Sequence, residues 1–300
     1  MRAAFLLTLA LGFVAPVLIG GCAGSPPKNP PDFAGLVGVG AGREMYVDCR
    51  GTGSPTVVLI AGARGSYDDW TTVIEGGEMK PSPKAVLPQV ARFTRVCAYD
   101  RPGTTRLDGS PTPTTPVAQP TSAVTGVADL HALLAASEIP GPYVLVAHSL
   151  GGTIAKLYAS TYPDDVVGLV LVDPFSEFLK TSLSPAQWTH FASEAIKLGD
   201  PVELEAADYE ASVAALRAAA PVRRIPVVIL TADKQFEFGA GGAETWPAWR
   251  EAHEQLAAHL RAKHITETHS SHGIQLEQPQ LVVAAVRQVV DAVRRPETWK

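Results

Sequence analysis

A serine stands where a buried strand hands over to a helix. In Tyr143-Val144-Leu145-Val146-Ala147-His148-Ser149-Leu150-Gly151-Gly152 an apolar, β-type run ends at Ser149 and a helical pattern follows. A hydroxyl presented this way can act as a nucleophile in acyl transfer. The turn has the G-x-S-x-G spacing of a nucleophile elbow, with Ala147 in the first small position. A strand that turns this sharply must carry its turn residue at positive φ. The residues two before and two after then crowd each other, so both must be small. The turn lifts the Ser149 oxygen clear of the sheet and sets the following helix N-terminus beneath it, where developing negative charge is favoured.

The surrounding pattern alternates strand and helix. Leu36–Val39 and Met45–Asp48 flank Gly40-Ala41-Gly42-Arg43, which predicts a hairpin. Thr56–Ala61 is an unbroken apolar run, as expected of a strand buried on both faces. Lys84–Phe93 reads as a helix, Arg95–Tyr99 as a strand, and the Pro/Thr-rich stretch Pro111–Ser122 as a loop. Helical spacing returns over Ser122–Ile139 and Thr153–Tyr162. Val166–Val172, Pro226–Thr231 and Lys263–Thr268 read as strands, with helices over Trp246–Arg261 and Leu281–Arg294. This order predicts an α/β fold with a mostly parallel sheet covered on both faces. One segment departs from it. Residues 175–224 show helical patches and no strand, including a capped start at Ser184-Pro185-Ala186-Gln187-Trp188, and read as a short helical lid.

The chain has 300 residues, of which 46% are hydrophobic and 18% charged, so it can bury a sizeable core. Its net charge of -5 and lack of a Lys/Arg cluster argue against a nucleic-acid partner. Met1-Arg2 followed by an apolar stretch to Ile19 reads as a signal peptide over residues 1–21. Leu18-Ile19-Gly20-Gly21-Cys22 resembles a bacterial lipobox, which implies cleavage before Cys22, lipidation of its sulfur and attachment to a membrane facing outside the cytoplasm. An ordinary secretion signal beside an incidental Cys is the competing reading. Ser25–Pro31 holds four Pro in seven residues, part of a stiff tether predicted over 22–34 ahead of one domain at 35–300. Only Cys49 and Cys97 then remain. In an exported protein they can form a disulfide if their strands are neighbours; otherwise they are buried thiols.

Four segments fall in a telling order: Val57–Ala63 with Gly65-Ser66 and Trp70; Val96-Cys97-Ala98-Tyr99-Asp100-Arg101-Pro102-Gly103; the elbow at Ser149; and Ser271-His272-Gly273-Ile274-Gln275-Leu276-Glu277-Gln278-Pro279. This arrangement resembles the serine α/β-hydrolase family in its esterase and lipase-like branch, over roughly residues 35 to 294. The resemblance implies an α/β-hydrolase fold and ester hydrolysis without cofactor or metal, on a small-molecule or lipid ester. Ser149 would be the nucleophile and His272 its base, since His272 lies between the last strand and the final helix, where the family puts its His. His269 lacks the same context, and His148 is read as packing inside the elbow. The oxyanion donors would be the backbone N–H groups of Leu150 and Ala63; Ala61 stands where the family has His. The acid is less plain. Gln235 occupies its commoner place, which leaves Asp173, at the end of Leu169–Val172, and Asp233, with Asp173 preferred. Asp100 and Arg101 are read as structural. Trp188, Phe236, Phe238, Trp246 and Trp249 are candidates to line an acyl pocket or simply to form core. An amidase, peptidase or thioesterase on the same triad, or a binding protein without turnover, are the rival readings.

Overall fold

A computed structural model of the chain describes residues 31–197, 204–236 and 245–299. The signal segment, Cys22, most of the tether and Phe238 lie outside the described residues. In chain order the elements are β1 (Phe33–Gly40), β2 (Arg43–Arg50), β3 (Thr56–Ile60), β4 (Thr72–Glu75), β5 (Glu78–Pro81), α1 (Val86–Val90), β6 (Val96–Tyr99), α2 (Ala123–Ala136), β7 (Tyr143–His148), α3 (Gly151–Thr161) and β8 (Val166–Val172). They continue with α4 (Leu179–Ser182), α5 (Pro185–Lys197), α6 (Tyr209–Ala218), β9 (Val227–Leu230), α7 (Thr245–Leu260), β10 (Lys263–Ile265), α8 (Ile274–Glu277) and α9 (Pro279–Arg294). The main sheet runs β1-β2-β6-β3-β7-β8-β9-β10. The β1–β2 and β2–β6 pairs are antiparallel, and every pair from β6 to β10 is parallel. This is the α/β-hydrolase architecture.

The strands divide their side chains between two cores because neighbours along a strand face opposite ways. Val58, Ile60, Leu145 and Ala147 join Leu130 and Leu133 of α2 and Tyr158 of α3 on one face. Val57, Leu59, Val144 and Val146 join Val86 and Leu87 of α1 and Val286 of α9 on the other. That double burial is why these strands read as continuous apolar runs.

Topology places the loops that matter. From β3 the chain passes to β6 on one side, then returns through β7 on the other. The carboxyl ends of β3 and β7 therefore flank a point where the winding reverses, the crevice in which open α/β sheets bind ligands. The loop after β3 and the elbow after β7 meet there.

Local differences from the sequence reading have physical causes. The helix predicted over Lys84–Phe93 contracts to α1, beyond which the N–H groups of Arg92 and Phe93 reach i−3 carbonyls in tighter turns. Strand β1 begins at Phe33, inside the predicted tether. The hairpin β4–β5 was not anticipated; it turns on Gly76-Gly77, both at positive φ, a signature of a two-residue hairpin loop. Residues 175–224 form α4, α5 and α6 as an insertion between β8 and β9. α5 starts on reciprocal bonds, Ser184 N–H to Gln187 Oε1 at 3.0 Å and Gln187 N–H to Ser184 Oγ at 3.3 Å.

Cys49 lies opposite Cys97 in the β2–β6 register, and the two are joined by a disulfide. The bond closes a loop with a sequence separation of 48 and restricts the unfolded chain. Replacing both cysteines by Ser is expected to cost about 4 kcal/mol of unfolding free energy on the loop-closure argument. Urea unfolding with and without reductant checks this: only the wild type should shift, and an unchanged midpoint in reductant would show that the bond contributes nothing.

Candidate active site

Ser149 is at φ 49°, the left-handed region that a side chain adopts only under constraint. Its N–H donates to Val172 O at 3.2 Å, and its carbonyl accepts the Phe175 N–H at 2.9 Å, which ties the elbow to the end of β8. A Cβ on Gly151 would lie 2.6 Å from Ile60 O and 2.7 Å from Ala61 O, both backbone atoms that cannot swing away. Glycine is therefore required two residues after the serine.

Asp173 follows β8 at φ 41° and is fully buried. Its Oδ2 accepts from His272 Nδ1 at 2.7 Å and from the Trp249 indole N–H at 3.1 Å; its Oδ1 accepts the Ala232 N–H at 2.8 Å. Burial alone would raise its pKa, but the His272 bond, the nearby His253 and the Ala232 N–H outweigh it and hold the carboxyl below its ordinary value. A carboxylate there makes Nδ1 of His272 the protonated nitrogen and leaves Nε2 as the basic one. His253, buried on α7, sits 3.7 Å from Asp173 Oδ1 and bonds to Thr231 Oγ1 and Pro174 O. Neither Trp249 nor His253 is paired with Asp173 by any sequence motif, since both reach it from a helix far along the chain. Trp249, read as a pocket or core aromatic, donates its indole N–H to Asp173.

Asp233 takes a different part. Its carboxylate accepts the N–H groups of His269 and Ser270, each at 3.0 Å, and its own N–H donates to Ser270 O. Glu277 holds Ser271 through both its N–H and its hydroxyl. The loop carrying His272 is thus pinned on both sides. His269 is exposed and faces Asp233, while His264 bonds to Thr231, so the three histidines of this region go to three different partners.

His148 donates from Nε2 to the His272 carbonyl at 3.0 Å, with ring centroids 4.5 Å apart, which brings His272 beside the elbow. Burial, with His272 adding, lowers its pKa to about 3, so it stays neutral. A Cβ on Gly62 would fall 2.6 Å from His148 Nδ1 and 3.1 Å from Ser149 Cβ, so the loop after β3 crosses directly against the elbow. Among the described residues, neither the Ala63 N–H nor the Leu150 N–H donates to a protein acceptor. Arg101 and Glu205 hold this loop from below. Both are buried, Arg101 Nε and Nη2 donating to the Glu205 oxygens at 2.6 and 2.9 Å.

Asp69 lies on the far side of the loop; a Cβ on Gly65 would be 2.1 Å from its Oδ2 and 3.3 Å from the Ala61 methyl. Burial pushes its pKa up to about 7, with Arg101 opposing and Asp68 and Asp100 adding. Unfolded Asp69 ionises near the ordinary aspartate value of 3.8, whereas the folded group holds its proton to about 7. Folding stability is therefore lost as pH rises through that window, not gained. The Tm advantage of Asp69→Asn over wild type is expected to grow from pH 4 to pH 8; a difference independent of pH would contradict the assignment.

Residues 57–285 match the alpha/beta hydrolase family. The chain belongs to that family. Among solved structures of this alpha/beta hydrolase fold, a thermophilic esterase from Thermogutta terrifontis aligns with a TM-score of 0.60 at 19% identity, covering 87% of this chain and 99% of the other. Carboxylesterase CesB of Bacillus subtilis aligns at 0.55 and 16%, covering 87% and 92%. A membrane phospholipase A described as a bacterial virulence factor aligns at 0.54 and 20%, covering 88% and 86%. In sequence, the uncharacterized protein YqjL of Bacillus subtilis is 25% identical over 80% of this chain and 85% of its own. An uncharacterized protein of Schizosaccharomyces pombe is 31% identical over 43% of this chain, which matches only 26% of that longer protein.

Above the elbow of this alpha/beta hydrolase the insertion contributes an apolar cluster. Leu150 packs with Phe175, Leu183, Trp188, Phe191 and Tyr209, and Phe236 and Trp246 border the same cluster. The Phe236 ring stacks on His272 with centroids 4.7 Å apart. Apolar packing therefore runs from the residue after Ser149 to the imidazole.

Proposed function

We propose that this hydrolase is a serine esterase that cleaves carboxylic esters through an acyl-enzyme. The observation that carries the reading is the 2.7 Å bond from His272 Nδ1 to buried Asp173, formed beside a strained serine elbow. Ser149 Oγ attacks the ester carbonyl as His272 Nε2 takes its proton. The proton then goes to the departing alkoxide, leaving Ser149 acylated. Water attacks the acyl-enzyme by the same route, with His272 as base and then acid, and the acid product leaves. Asp173 holds the imidazole in the required tautomer and stabilises its cationic form. The N–H groups of Leu150 and Ala63, without acceptors among the described residues, receive the oxyanion of each tetrahedral intermediate.

The aromatic cluster beside Leu150 supports an apolar acyl group. The similarity to a phospholipase A and the lipobox-like Cys22 support lipidic esters met at a membrane surface. Among the described residues no helix is long and apolar enough to cross a membrane. Attachment in this reading is through Cys22.

Hydrolysis of p-nitrophenyl esters from acetate to palmitate, alongside matched anilides and thioesters, tests the proposal. Ester turnover should exceed anilide turnover and persist into medium or long chains. Preference for the anilide or thioester would replace the esterase reading, and saturable binding with no turnover of any of the three would point to a ligand-binding role.

A further inference from the structure

Arg101 does more than close a buried ion pair. Its Nη1 donates to Ala61 O at 2.8 Å and its Nη2 to Gly62 O at 2.6 Å. Glu205 Oε2, besides receiving Arg101, accepts the Arg64 N–H at 2.6 Å. Arg64 is at φ 61°, and its carbonyl accepts the Thr105 N–H at 3.1 Å. The loop is thus gripped immediately before and after Ala63.

A peptide bond is planar and trans, so its C=O and N–H point in opposite directions. The Gly62 carbonyl and the Ala63 N–H belong to one such plane. Fixing the carbonyl on Arg101 therefore fixes where the Ala63 N–H points, and a Cβ-free Gly62 lets that plane lie against Ser149. The direction of the Arg101 fork is set in turn by the two-point pairing with Glu205, which a planar guanidinium makes in one orientation only.

Glu205 comes from the insertion between β8 and β9, not from the sheet. It is itself anchored: its N–H donates to Gly103 O at 2.8 Å, and the Ala206 N–H donates to Gln119 Oε1 at 3.0 Å. We propose that Glu205 is a positioning residue for the oxyanion donor, acting through Arg101 and the Arg64 N–H to aim the Ala63 N–H at the reacting carbonyl. This rests on the esterase reading. It assigns the helical insertion a part in transition-state stabilisation besides its apolar packing on Leu150.

The test is Glu205→Gln in the full chain, with kcat expressed per active site titrated by a fluorophosphonate and with inhibition by a trifluoromethyl ketone. The ketone forms a tetrahedral adduct whose oxyanion needs the same donors. The expected result is a fall in kcat of about 10- to 100-fold, as for a misdirected donor, with KM within about twofold and a matching rise in Ki. A merely structural role would lower the titrated fraction and leave kcat per site and Ki unchanged, and that result overturns the inference. If the Gln variant does not fold, Arg101→Met combined with Glu205→Met removes both buried charges together. The same loss of kcat and ketone affinity is expected of it, and retention of both overturns the proposal. Wild-type protein without Ser149-dependent turnover overturns the esterase reading and this inference with it. Normal wild-type turnover with unaffected variants overturns this inference alone.

Discussion

Asp173→Asn is expected to lower kcat about 10⁴-fold while the protein stays folded, the scale of loss when the triad imidazole is held in the wrong tautomer. The side-chain oxygen of Asn can still accept the Ala232 N–H. Its amide, however, would face His272 Nδ1 and oblige that nitrogen to accept, which moves the ring proton to Nε2. A protonated Nε2 cannot take the Ser149 proton. Asp233→Asn should instead keep kcat within about threefold and cost some stability, about 1 kcal/mol, because Asp233 caps backbone N–H groups of the His272 loop. Rates and unfolding curves for the two variants separate the assignments. A large loss at Asp233 with near-normal rates at Asp173 would reverse them.

Ser149→Ala is expected to reduce turnover by about 10⁴-fold or more, the range seen when a triad nucleophile is removed. A second variant shows what the elbow costs the fold. At φ 49° any side chain is strained, and glycine is not. Ser149→Gly should abolish turnover equally yet unfold at a higher temperature than Ser149→Ala, by about 1 kcal/mol in stability. Equal melting temperatures would mean that the elbow stores no strain, whatever the activity.

Much of this was legible in the sequence because it depends on local constraints. The elbow needs small residues around a serine, and a doubly covered parallel strand needs an unbroken apolar run; both leave contiguous patterns, as at Tyr143–Gly152 and Thr56–Ile60. The expected pairing of β2 with β6 could only be stated as a condition, since strand adjacency is a property of the sheet. The acid was ambiguous for the same reason. Asp173 and Asp233 both follow apolar strands, and only the approach of β8 and the His272 loop distinguishes them. Glu205 and His253 were invisible, and Trp249 was legible only as a pocket or core aromatic, not as a donor to Asp173. Each acts at the site from a segment dozens of residues away, through a single side chain whose type is common in solvent or core. Arg101 was visible as part of a turn, but its grip on Ala61 and Gly62 depends on the loop after β3 folding back over β6.

The esterase role of Ser149 is tested most directly by labelling the full chain with a fluorophosphonate, following ester hydrolysis as labelling proceeds, and mapping the modified peptide by mass spectrometry. A single adduct on Ser149 is expected, formed in step with the loss of turnover. Turnover that survives complete labelling of Ser149, or loss of turnover with the adduct on another residue, would contradict it.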